Sequence, residues 1–145
     1  MLEPLTDSAY RKTKKRIEKF LSWWIPALGL RWWRIDINWT QTDLTKDLHC
    51  SVLAQCWASW QYRKATLQFD VKQFSDMSDD DIEEAVVHKL CHILVNPLHP
   101  EPKMMAHEEY AVSMLTNAFL FARNRILKQA GRGSAKATLA KRKRR

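Results

Sequence analysis

Residues 83–97 read EEAVVHKLCHILVNP. His88 and His92 stand four apart inside an apolar run, and a helix places residues i and i+4 on one face, one turn apart. Both imidazoles therefore reach a common point, which is the spacing a helix uses to hold a zinc ion. Around them Ile82, Val86, Leu90 and Ile93 share a second face, and Ala85, Val87, Cys91, Leu94 and Val95 make most other positions apolar as well. The helix is thus predicted to be covered on most sides. A covered histidine pair must satisfy its ring nitrogens or cost a few kcal/mol, and a metal ion satisfies both at once.

The boundaries of this helix are written in its flanks. Ser78 is a good N-cap, and Asp79, Asp80 and Asp81 suit the positive end of the helix dipole. Asn96 and Pro97 stop it, and PLHPEP leads to a last helix over about Lys103 to Lys128. Upstream, residues 7 to about 26 read as a helix with an apolar stripe of Tyr10, Ile17, Phe20, Leu21 and Trp24. RWWRIDINWT alternates Trp33, Ile35, Ile37 and Trp39 with polar residues, the pattern of a half-buried strand. Thr40 to Leu48 reads as a connection. CSVLAQCWASW and KATLQFD are two further strands, joined near Gln61 to Arg63, though neither Gly nor Pro marks that turn. The expected class is α+β: an N-terminal helix, a small sheet containing an antiparallel pair, the histidine helix, and a long C-terminal helix.

With 145 residues and seven tryptophans the chain suits one core, placed at residues 1–128. No apolar run approaches the roughly 20 residues that span a bilayer, and residues 1–16 have no apolar core of signal-peptide type. Cys50, Cys56 and Cys91 offer no C-x-x-C pair, so reduced thiols and a cytoplasmic location are expected. The net charge of +8 is uneven. Eight basic residues and no acid lie from Lys128 onward, leaving 16 of each sign in the remainder. Residues 129–145 are expected to form a disordered basic tail. Arg132, Lys136, Lys141, Arg142, Lys143, Arg144 and Arg145 are its candidate phosphate contacts, supported by the cluster from Arg11 to Lys19.

Zinc requires a third protein ligand, leaving one position for water. In the last helix Val112, Leu115, Phe119, Ala122 and Ile126 form an apolar stripe, and stepping back four residues from Val112 reaches Glu108. A carboxylate centred on a buried face needs a partner or a metal. Glu108 is therefore the expected third ligand, with Glu109, about 100° further round, as the fallback.

The run from Ser78 to Phe119, with its acidic helix start, VVHKLCHILVNPL and HEEYAVSMLTNAF, resembles the small zincin metallopeptidases common in bacteriophage and prophage genomes. Their layout is related to SprT-like and ImmA/IrrE-type gluzincins. YRKATLQFD is similar to the strand that lies beside the metal helix in such proteins, so about half the chain carries the likeness. The resemblance implies a minimal zincin holding zinc on His88, His92 and a glutamate of the following helix. It also implies a peptide or protein substrate, and the host cytoplasm as location if the protein is phage-encoded.

One residue departs from that pattern. Where H-E-x-x-H peptidases carry a glutamate that takes a proton from metal-bound water, this chain has Lys89. A general acid-base group contributes about 100- to 10,000-fold in rate, and a lysine with a reference pKa near 10.4 does not accept that proton. Three readings are open. The first is a zincin fold whose peptidase chemistry is lost or impaired, by drift or by deliberate substitution at position 89. The second is a hydrolase using another base, with Glu84 one turn before His88 as the candidate. The third is a nucleic-acid-binding or partner-binding protein that uses the basic tail on an inherited scaffold.

Overall fold

The computed structural model describes residues 5–41, 53–98 and 105–142, with side chains described over 107–130 of the last segment. It is a mixed α+β arrangement, mostly helical, around one three-stranded sheet. The connection over 42–52, with Cys50, and the linker over 99–104 lie outside the described residues.

Helix α1 (Asp7–Ala27) starts at Thr6, whose hydroxyl accepts from Ala9 N, and buries Thr13, Ile17, Leu21 and Trp24. The chain then turns at Gly29, whose φ of 72° lies in the left-handed region that glycine enters without steric cost. Strand β1 (Arg34–Thr40) follows, then β2 (Ala54–Ser59) and β3 (Lys64–Asp70). The sheet order is β1-β3-β2, with β3 central, parallel to β1 and antiparallel to β2. The hairpin between β2 and β3 closes through a 3-10 turn over Trp60–Tyr62 and a left-handed Arg63 with φ of 47°. A non-glycine in that conformation explains why the turn carries no ordinary sequence mark.

Alternation sorts the strand side chains. Ile35, Ile37 and Trp39, Cys56 and Ala58, and the buried Ala54, Ala65, Leu67 and Phe69 face the helices. Trp39 stacks on Phe69 at 5.7 Å, and Phe69 meets Phe74 edge-on. A short α2 (Val71–Phe74), capped by the buried Asp70 through Lys72 N, leads into α3 (Asp79–Val95). Ser78 caps α3 by accepting from Asp81 N, and its hydroxyl donates to the Asp81 carboxylate at 2.6 Å. Ile82, Val86, Leu90 and Ile93 are fully buried. Asn96 ends the helix, and its side-chain oxygen accepts from Trp60 N, tying the helix end to the hairpin turn.

Helix α3 packs against α1, β2 and α4 (Met105–Arg142). Polar groups also join the helices. Buried Glu83 of α3 accepts from Trp24 Nε1 of α1 at 2.8 Å and from the Arg123 guanidinium of α4. Arg16 of α1 donates to Asp79 at 2.7 Å and to the Met77 carbonyl at 2.6 Å, so one member of the N-terminal basic cluster serves the fold.

Two expectations change at α4. The helix continues to Arg142, whereas the sequence pattern ends it near Lys128 and predicts a disordered tail. Ala130, Ala135, Ala137 and Ala140 with interspersed Lys and Arg favour this continuation and no proline interrupts it, while Gly131 and Gly133 oppose it. The inward face also differs in part from the predicted stripe. Val112 is buried and Leu115 and Phe119 pack against the core, joined by the buried Thr116 and the half-buried Arg123, whereas Ala122 and Ile126 are exposed.

Candidate metal centre

Both glutamates at the start of α4 meet the histidines. Glu108 and Glu109 stand four and three residues before the buried Val112, which turns both toward α3, Glu108 the more buried at 19% exposure and Glu109 at 57%. His88 Nε2 and His92 Nε2 are 3.3 Å apart. Glu109 reaches across from α4, with Oε2 3.3 Å from His88 Nε2 and Oε1 3.3 Å from His92 Nε2. His88, His92 and Glu109 thus form a group that could hold a metal ion, their ligand atoms all within 4.8 Å of one another.

Glu108, expected as the ligand, lies on the other side of the same imidazole. Its Oε1 is 2.8 Å from His92 Nδ1. A carboxylate only accepts, so a neutral His92 that donates to Glu108 does so from Nδ1 and leaves its Nε2 lone pair toward the centre. Carboxylate contacts of this kind fix the tautomer and orientation of metal-binding histidines. The adjacent glutamates hold different positions: Glu109 lies against the two Nε2 atoms, and Glu108 lies against His92 Nδ1.

The protonation chemistry favours a metal-ready state at His88. Burial is the largest cause holding its pKa below the ordinary value, with the charges of Lys89 and His92 acting in the same direction and Glu109 opposing. A neutral imidazole is the form that donates to a cation. The fit is also metric. Zinc–nitrogen distances of 2.0–2.1 Å in a tetrahedron put neighbouring ligand atoms about 3.4 Å apart. The two Nε2 atoms, 3.3 Å apart, match one edge of such a tetrahedron, and Glu109 sets one carboxylate oxygen 3.3 Å from each of them.

Beside the centre runs a cleft of about 460 Å³. One wall is α3, with Asp81, Glu84, Ala85, His88 and Lys89, and the other includes Met77 and, at the start of β2, Leu53 and Ala54. Lys89 therefore faces the same opening as His88. Glu84, the alternative base, is exposed in that cleft too. The strand beside the opening is the sheet-edge strand β2, while the KATLQFD strand is central.

The sequence motifs do not point to Cys56. On β2 it feels the charges of both Lys89 and Glu108, and burial pushes its thiol up to about 11. Nothing in the sequence joins residue 56 to residues 89 and 108; only the packing of β2 on α3 brings them together. The side chains of Arg132, Lys136, Lys141, Arg142, Lys143, Arg144 and Arg145 lie outside the described residues. No helix among the described residues is long and apolar enough to cross a membrane. Comparison with protein-family models, curated proteins and solved structures finds no match to the chain.

Proposed function

We propose that the protein is a zinc-binding domain of zincin type whose peptidase chemistry is lost or strongly impaired. His88, His92 and Glu109 hold the ion, and Glu108 orients His92. The observation that carries the reading is the convergence of three residues from two helices, their ligand atoms within 4.8 Å of one another, with a second carboxylate behind His92. Two histidines and a carboxylate are a donor set suited to catalytic zinc, which keeps a further position open and acidifies bound water.

The charges around the centre set its chemistry. Glu109 supplies a negative charge that offsets the dication. Lys89, in the cleft beside His88, brings a positive charge where a general base belongs. An ammonium has donors and no acceptor for a proton, and it opposes the cation by repulsion. The cleft along α3 and the start of β2 remains able to receive an extended peptide. Binding without turnover is the resulting activity.

Cleavage of casein or a fluorogenic peptide by the zinc-loaded protein and by Lys89→Glu tests this. The glutamate variant is expected to gain chelator-sensitive activity of at least about 100-fold over the parent, the lower end for a general base. Equal activity in both proteins would refute the assignment of Lys89 and move the role to a group such as Glu84.

A further inference from the structure

The sheet has a second face, turned away from the helices. By alternation and register it carries Arg34, Asp36 and Asn38 of β1, Lys64, Thr66 and Gln68 of β3, and Gln55, Trp57 and Ser59 of β2. Across one row lie Ser59, Lys64 and Arg34, and across the next Trp57, Thr66 and Asp36. Arg34 N donates to the Arg63 carbonyl at 2.8 Å, which fixes the hairpin turn beside the start of β1. The same end of the sheet therefore gathers the turn residues Trp60 and Tyr62 and, just before β1, Trp32.

These aromatic rings are not packed away. Trp32 is 82% exposed, Tyr62 83%, Trp57 52% and Trp60 48%. Exposed large aromatics gathered at one site mark an interaction surface. Arg31, Arg34, Arg63 and Lys64 are all exposed among them. The carboxylate on this face, Asp36, lies 3.7 Å from Arg34 Nε. Strand spacing of about 4.8 Å places the start of β1 about 10 Å from β2, so the rings and cations span a few nucleotides. Flat rings alternating with cations match a polyanion that presents planar bases, the rings offering stacking faces and the cations meeting the backbone charge.

We propose that this end of the sheet and its outer face form a binding platform for single-stranded nucleic acid, separate from the metal centre and from the basic tail. The rings stack on unpaired bases and the four cations contact phosphates. A duplex, whose bases are stacked on each other, cannot use the rings.

The test is fluorescence anisotropy with a labelled 12-nucleotide oligo(dT), using the full-length chain. Binding is expected with a log–log salt slope of about −3 for four phosphate contacts on a single strand. It should exceed binding to a duplex of equal length or to heparin. Trp57→Ala and Tyr62→Ala should each weaken binding by roughly 5- to 150-fold, the range for one lost stacking contact, with Trp57→Phe restoring most of the loss. Both positions are exposed, so the fold should survive the substitutions, and unchanged circular dichroism verifies it. The same losses should persist when Lys141, Arg142, Lys143, Arg144 and Arg145 are all changed to Gln. Failure to bind oligo(dT), equal binding of heparin, or full affinity in the aromatic variants would overturn the proposal. Loss of all binding on neutralising the tail would do so as well, assigning the site to the tail.

Discussion

Separating the two adjacent glutamates is the sharpest consequence of the geometry. If Glu109 contributes a ligand atom and Glu108 orients His92, the two substitutions must differ in size. Glu108→Gln keeps an oxygen that can accept from His92 Nδ1 at 2.8 Å but removes its charge. Glu108→Ala removes the contact altogether, inside a pocket where His92 and Glu108 are largely shielded from water. Outer-shell losses of this type cost about 10- to 100-fold in metal affinity, or roughly 1.4–2.7 kcal/mol. Glu108→Gln belongs at the lower end and Glu108→Ala at the upper. Glu109→Ala removes one of three donors and the charge facing the ion, and it should exceed 100-fold. Competition with a chromophoric zinc chelator at fixed pH measures all three. A larger loss for Glu108→Ala than for Glu109→Ala would refute the reasoning and restore Glu108 as the ligand.

Other substitutions probe the fold around the site. Glu83→Ala leaves Trp24 Nε1 and Arg123 without their shared acceptor; breaking such a buried pair costs about 3–5 kcal/mol, read as a lower urea midpoint at unchanged zinc content. A midpoint within about 0.5 kcal/mol of the parent would dismiss that network as a stabilising element. Cys56, with its thiol raised to about 11, should carry about one thiolate per thousand at pH 8 and resist iodoacetamide in a Cys50→Ser chain until the fold is opened. Rapid native labelling would contradict its burial. For His88 the folded pKa lies below the ordinary 6.5, so below about 6.5 the unfolded chain takes up a proton that folded His88 refuses. Stability of the metal-free protein should therefore fall as pH drops from 7.5 to 5.5, and fall less in His88→Gln; identical pH profiles would count against it.

The sequence makes the fold legible where pattern and punctuation agree. Ser78, the three aspartates and Asn96–Pro97 frame α3, and the alternation from Trp33 to Trp39 exposes β1. The hairpin is visible in its strands but unmarked at its turn, because Arg63 occupies the left-handed position. The sequence reaches both glutamates of α4, Glu108 first and Glu109 as fallback, and the structure groups Glu109 with the two histidines while Glu108 meets His92 Nδ1. Val112, Leu115 and Phe119 of the apolar stripe do pack against the core. The inward side also holds Thr116, which donates to the Val112 carbonyl, and Arg123, which donates to Glu83, so a purely apolar stripe only approximates its direction. Helix continuation past Lys128 escapes a pattern search because that segment carries no apolar period and contains Gly131 and Gly133. Trp33 and Trp39 pack against the core as their alternation implies, but the exposure of Trp32, Trp57, Trp60 and Tyr62 is hidden, since aromatic residues are ordinarily read as interior.

The central claim is that two helices converge on one metal ion. Metal analysis of the purified chain after zinc loading and gel filtration, beside His92→Ala and Glu109→Ala, measures it directly. One zinc per chain in the parent, and far less in both variants, is the predicted result. A parent chain that retains no zinc, or variants that retain as much as the parent, would contradict it.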